Sequence, residues 1–158
     1  MKIAHIQKAE QGYIATFERS LKHPMQQVWS FLTDNDKLQQ WFPELSVDEL
    51  IEGGIIRFDM GDGSFEEMTI LELKPLSVLE YTWDKDRVRF ELSGAADGCK
   101  LVLVEKLARI TDHTPRDLAG WHVCLNVIAA LLDDKVVESR KEEWGKWYVQ
   151  YREAVSTL

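Results

Sequence analysis

The stretch Thr114-Pro115-Arg116-Asp117-Leu118-Ala119-Gly120-Trp121-His122-Val123-Cys124-Leu125-Asn126-Val127-Ile128-Ala129-Ala130-Leu131-Leu132 holds more apolar surface than one helix face can carry. Its start is marked. Thr114 suits the N-cap and Pro115 the first helical position, while Asp117 completes a capping box and puts negative charge at the positive helix end. From Leu118 onward the apolar residues recur at helical spacing, with Leu118, Trp121, Leu125, Ile128 and Leu132 along one stripe. Val123, Cys124, Val127, Ala130 and Leu131 widen that stripe past one side. Such a rod, about 28 Å long at ~1.5 Å per residue, must be covered by other structure. The cover has to come from the residues before it.

Those residues read as strands. Tyr13–Leu21 alternates and is rich in β formers, with Tyr13, Phe17 and Leu21 on one face. Pro24 then opens a helix through Leu32, with Val28, Phe31 and Leu32 inward and Trp29 close by. Asp34-Asn35-Asp36 caps a second short helix that Pro43 stops. After the Gly53-Gly54 turn, Ile55–Met60 and Phe65–Lys74 form a hairpin with Gly61-Asp62-Gly63 at its tip. Val78–Trp83, Arg87–Leu92 and Cys99–Ile110 follow, joined by tight turns. Leu79, Tyr81 and Trp83 share one face, as do Val88, Phe90 and Leu92, while Arg87, Arg89 and Glu91 face water. Strands joined in this way are antiparallel, so the class is α+β: about six strands, two short helices after the first strand, and a long C-terminal helix over the sheet. Past Asp133-Asp134-Lys135, residues 138–155 are a continuation of that helix or a second helix across a kink, packing on the N-terminal strand.

The 158 residues are 45% hydrophobic and 29% charged, which suits one globular domain over 1–158 and not a disordered chain. Net charge is −8 with no basic run, so neither nucleic acid nor an anionic membrane is an expected partner. No signal core and no membrane-length apolar run is visible, and Cys99 and Cys124 read as free buried thiols. The expectation is a soluble, cytoplasmic monomer.

Little in the chain points to catalysis. Gly61-Asp62-Gly63 precedes a strand and is therefore a turn, not a phosphate loop. His5, His23, His113 and His122 have no ligand spacing, so neither a metal nor a cofactor is expected. Cys124 and His122 stand two apart on a helix and point away from each other, and no serine has an elbow motif. Glu67 or Glu105, if inward, would have a raised pKa and become an acid/base or anchoring group, but a solvated strand face is the preferred reading for both.

The aromatic excess is the stronger signal, since six Trp are many for this length. Trp41, Phe42, Phe58, Tyr81, Trp83, Phe90 and Trp121 converge from the second short helix, the strands and the long helix. Rings this large are hard to pack to full density between a curved sheet and one helix. The expected result is a residual apolar cavity with polar tips from Tyr81, Trp83 and His122, its walls extended by Leu92, Leu125 and Ile128.

Leu21-Lys22-His23-Pro24, Val28-Trp29, Leu32-Thr33, Leu38, Trp41-Phe42-Pro43, Gly54, Phe58, Arg89-Phe90-Glu91-Leu92 and Gly120-Trp121-His122 with Leu125 resemble the activator-of-Hsp90-ATPase-homologue (AHSA1) group of START-like (SRPBCC, Bet v 1-like) helix-grip proteins. The resemblance covers nearly the whole chain and rests on fold-specific residues, not catalytic ones. It implies a sheet gripping a long C-terminal helix with a cavity between, in a group that includes lipid and polyketide binders, cyclases and stress-response co-chaperones. The function expected first is binding of a small hydrophobic ligand, aromatic, polyketide-like or lipid-like. The alternatives are an activator of an Hsp90-type chaperone ATPase and a cavity enzyme such as a cyclase or hydrolase.

Overall fold

A computed structural model describes residues 3–158. The elements are β1 (His5–Lys8), β2 (Tyr13–Leu21), α1 (Met25–Thr33), α2 (Asn35–Trp41), β3 (Leu45–Val47), β4 (Ile55–Asp59), β5 (Phe65–Lys74), β6 (Val78–Trp83), β7 (Asp86–Ala95), β8 (Gly98–Leu107), α3 (Thr114–Leu132) and α4 (Arg140–Ser156). The class is α+β, as expected, but the sheet has eight strands, not about six, in the order β1-β2-β8-β7-β6-β5-β4-β3. The two additional strands are short and lie at the two edges. β1 falls in the polar lead-in, and β3 is three residues long, so neither has enough alternation to announce itself.

Every neighbouring pair of strands is antiparallel. From β3 to β8 the chain meanders between adjacent strands, and β2 joins by pairing with β8. The helices α1 and α2 carry the chain from β2 to the opposite edge. Asp34 closes α1 and starts α2, its carboxylate accepting from the Asp36 amide. Tight turns fix the meander, and Asp84 takes φ 56° in the two-residue connection that pairs Trp83 with Asp86. At Gly98 a Cβ would come within 2.1 Å of the Leu21 carbonyl oxygen, so the β7–β8 turn requires glycine.

One face of the sheet is the core face. Ala15, Phe17 and Leu21 of β2, Val88, Phe90 and Leu92 of β7, and Leu101, Leu103 and Leu107 of β8 are buried on it. α3 lies over that face with Leu118, Trp121, Leu125, Ile128 and Leu132 buried. On the other face Arg89 does not simply face water. It bridges Glu91 at 2.6 Å, Glu72 at 2.7 Å and Glu80 at 2.8 Å, and Glu80 is buried beneath it.

The start of α3 differs from expectation, and of the two readings of the C-terminal segment the second helix holds, although it packs mainly on α3 and not on the N-terminal strand. Thr114 is the first residue of α3 and not its N-cap, which is His113 with no side-chain cap bond. Thr114 Oγ1 instead accepts from the Thr111 amide, and the Asp117 carboxylate is engaged by Trp83, so no capping box forms. The C-terminal segment is a separate helix. α3 ends at Leu132, Asp134 turns back with φ 56°, and Ser139 caps α4 by accepting from the Glu142 amide. α4 packs mainly along α3, and it reaches the N-terminal segment through Tyr151, whose hydroxyl oxygen accepts from the Ala4 amide at 2.8 Å.

Candidate functional site

The aromatic residues singled out from the sequence do converge. Phe42, just past α2, meets Trp41 at 6.0 Å between ring centroids, Phe58 at 5.8 Å, Trp83 at 5.8 Å and Trp121 at 5.9 Å. Trp83 and Trp121 approach to 5.0 Å, and Phe90 links Trp121 at 6.0 Å to Tyr81 at 6.3 Å. Most of these pairs are edge-on or tilted, the arrangement that aromatic quadrupoles favour. The inner part of the cluster is filled: Trp41, Tyr81, Phe90, Leu92, Trp121, Leu125 and Ile128 are all buried. Trp41 also donates its indole N–H to the Phe31 carbonyl at 2.7 Å.

The unfilled space lies at the outer rim of the cluster. A hollow of about 450 Å³ opens between the Phe42–Glu44 segment, the first turns of α3 and the start of α4. Phe42, Trp83 and Trp121 line it, with Pro43, Gly120, Cys124 and Trp144, and with Glu44, Asp117, Arg140 and Lys141 as its charged groups. Of the residues singled out from the sequence, Phe42, Trp83 and Trp121 reach this wall; Trp41, Phe58, Tyr81, Phe90, Leu92, Leu125 and Ile128 do not. Gly120 contributes by having no side chain. A Cβ there would meet nothing within 4 Å, so neither packing nor backbone geometry calls for glycine, and what it leaves is space in the hollow.

His122 lies apart from this wall. It stacks on Trp147 of α4 at 3.9 Å, and its Nδ1 bonds the Tyr151 hydroxyl at 2.6 Å. Nδ1 and the Tyr151 hydroxyl share one hydrogen bond, the Tyr151 oxygen also accepts from the Ala4 amide, and His122 Nε2 is buried without a partner. Burial first, and then the positive charge of Arg19, lower the His122 pKa to about 3. His122 is thus a neutral structural group joining α3, α4 and the N-terminal segment.

The polar centre of the hollow is Asp117. Its Oδ1 accepts from Trp83 Nε1 at 3.0 Å, which holds the indole in the wall, and its Oδ2 is buried. Behind it stands Glu105. Of the two strand glutamates, Glu67 is exposed as expected, but Glu105 is fully buried, a correction to its expected solvated position. Leu101, Leu103, Glu105 and Leu107 share one face of β8, so the alternation of the strand directs Glu105 into the core between Ala15 of β2 and Val88 of β7. Burial first, and then the Asp117 carboxylate beside it, hold its pKa well above the ordinary value. Glu105 reaches the wall of neither this hollow nor the smaller cleft of about 310 Å³ on the other side of Asp117.

Neither cysteine is poised for nucleophilic chemistry. Burial raises the Cys124 pKa to about 12 and also raises that of Cys99, and no disulfide joins them. Among the described residues, no group of three or more His, Cys, Asp or Glu side chains could hold a metal ion, and no helix is long and apolar enough to cross a membrane.

With the strands, the gripped helix and the site in place, the family profile described as "Activator of Hsp90 ATPase homolog 1-like protein" (AHSA1) matches residues 22–133. The chain belongs to this family. The AHSA1 match stops before α4, so the far wall of the hollow lies outside it. No protein of curated function matches the sequence. Among solved structures, a conserved protein of unknown function, EF2215 from Enterococcus faecalis, is similar at 29% identity and TM-score 0.86, over 98% of this chain and 91% of that one. CalU16 from Micromonospora echinospora shares the fold at 19% identity and TM-score 0.75, over 96% and 95% of the two chains. The Aha1 dimer from Colwellia psychrerythraea shares it at 17% identity and TM-score 0.66, over 75% and 95%.

Proposed function

We propose that this AHSA1-family protein binds a small, largely apolar ligand carrying an aromatic ring in the hollow walled by Phe42, Trp83 and Trp121. The observation that supports this most is the combination of three rigid rings with Gly120, whose missing side chain leaves open space beside them. Apolar burial against the rings would supply affinity, and Asp117 would orient the ligand. Binding is favoured over catalysis because the one inward acid, Glu105, stands behind Asp117 and not at the wall. Lipid-like ligands are the less favoured class, since a hollow of about 450 Å³ suits a body of two or three fused rings better than a long acyl chain.

The test is calorimetric titration with a panel of two- and three-ring aromatics and fatty acids, using Gly120→Leu as the control. The leucine side chain enters the hollow without a backbone penalty, so it should abolish binding while leaving the fold intact. Equal binding by wild type and Gly120→Leu, or no binding across the panel, would count against the proposal.

A second reading, activation of an Hsp90-type ATPase, is supported by the family match. It predicts stimulation of chaperone ATPase turnover that persists in Gly120→Leu, which separates it from ligand binding.

A further inference from the structure

Two carboxyl groups, Asp117 at the wall of the hollow and Glu105 behind it, stand together with no cation paired to either. Glu105 is fully buried, and both of its oxygens lack a hydrogen-bond donor unless the pair with Asp117 carries a proton. The side chains of Glu105 and Asp117 are within hydrogen-bonding reach of each other, and carboxyl groups that close cannot both ionise at little cost. Burial, and then the neighbouring Asp117 carboxylate, raise the pKa of Glu105, and Asp117 Oδ1 accepts the Trp83 indole N–H. Even if the two share one proton, the pair holds a negative charge, and Asp117 is the member that lines the hollow. The ion pairs of the described residues all lie elsewhere, and none includes Asp117 or Glu105.

A charge partly withdrawn from water without a counter-ion is costly, and a ligand cation would offset that cost directly. The surroundings agree with a cation. Phe42, Trp83, Trp121 and Trp144 present ring faces or edges around the hollow, and indole faces attract organic cations better than any other side-chain surface. The chain as a whole carries −8, which raises the local concentration of cations. Arg140 and Lys141 oppose this, but both are exposed at the rim, where water and salt screen them, whereas Asp117 is half-buried with its Oδ2 enclosed.

On the basis of the pocket-binding reading above, we propose that the hollow selects a small organic monocation, an aromatic ring bearing a primary amine, with its ammonium group hydrogen-bonded to the Asp117 carboxylate and its ring against Phe42, Trp83 and Trp121. The ammonium replaces the missing counter-ion, and the rings supply both apolar contact and cation–π attraction.

Three ligands of one shape separate the terms: tryptamine, the uncharged 3-ethylindole and the anionic indole-3-propionate, each titrated calorimetrically at neutral pH and moderate salt. Tryptamine should bind roughly tenfold or more tightly than 3-ethylindole, with indole-3-propionate weakest. In Asp117→Asn the ratio of tryptamine to 3-ethylindole affinity should fall toward one. If that variant does not fold, the wild-type series decides alone. Should 3-ethylindole bind and tryptamine bind no better, or indole-3-propionate bind best, the amine proposal is overturned while the pocket reading stands. If none of the three binds, both fall.

Discussion

Trp83 Nε1 donates to Asp117 Oδ1 across 3.0 Å, a bond that ties the end of β6 to the first turn of α3. Asp117 is therefore both a strut of the fold and the polar centre of the hollow. Replacing it with alanine leaves the Trp83 indole N–H and the Glu105 carboxyl without their shared partner. The expected cost is about 2 kcal/mol, the usual penalty for orphaned buried polar groups. Chemical denaturation at neutral pH checks this, and an unchanged midpoint would show that the bond carries no stability.

The raised pKa of Glu105 sets a pH dependence whose sign is fixed. In the unfolded chain Glu105 ionises near its ordinary 4.5, whereas the folded chain keeps the proton to higher pH. Above that ordinary value the folded state binds more protons than the unfolded one, so stability falls as pH rises until the native carboxyl ionises. Glu105→Gln keeps a donor toward Asp117 and removes the titration. Its stability advantage over wild type should grow between pH 4.5 and the folded-state pKa, as read from urea midpoints across that range. Parallel profiles for the two proteins would contradict the buried acid.

His122 acts in the opposite direction. Its pKa falls from 6.5 in the unfolded chain to about 3 in the folded one, chiefly through burial. Between those values the unfolded state holds the extra proton, so stability is lost as pH drops through that window and is unaffected above it. His122→Asn should flatten this acid limb while lowering stability at neutral pH through loss of the Trp147 stack and the Tyr151 bond. Thermal unfolding followed from pH 7 to 3.5 would check both effects.

Arg89 should matter although it sits on the outer face of the sheet. It is the closest cation to Glu80, which is only 4% exposed and otherwise has Lys106 at 3.2 Å. Arg89→Ala leaves a buried carboxylate half paired, with an expected loss of about 2 kcal/mol. Arg89→Ala combined with Glu80→Gln should recover part of that loss, and a double-mutant cycle measures how much.

Gly120→Ala should stabilise the protein. The position is helical, and a Cβ there meets nothing, so the helix gains about 0.5–1 kcal/mol by losing glycine's unfolded-state entropy. A destabilised alanine variant would mean that the space beside Gly120 is not open.

Much of this was legible in the sequence because the strongest patterns are local. β2 matches the alternating Tyr13–Leu21 stretch, α3 spans the apolar Thr114–Leu132 stretch, and the Asp-Gly turn before Cys99 forms the β7–β8 hairpin. What was not legible depends on long-range placement. β3 is too short to show a period, and the role of Asp117 depends on Trp83, 34 residues away, closing over it. The position of Glu105 did have a signal, since it continues the Leu101-Leu103 inward series of β8, but the rarity of buried glutamate outweighs one strand's alternation. Trp144 and Arg140 join the site only because α4 folds back along α3, and the break at Asp134 that permits this has no glycine to mark it.

The central claim is that the hollow beside Phe42, Trp83 and Trp121 takes an aromatic ligand. The most direct measurement is the indole N–H region of a ¹H–¹⁵N NMR spectrum during separate titrations with tryptamine and 3-ethylindole, at least one of which must bind, since the tryptophans report from separate places. Trp83, Trp121 and Trp144 line the hollow, whereas Trp29 and Trp147 do not. The account predicts that the signals of Trp83, Trp121 and Trp144 shift together and saturate with one affinity while those of Trp29 and Trp147 stay in place. Shifts confined to Trp29 or Trp147, or no shift at any indole, would contradict it.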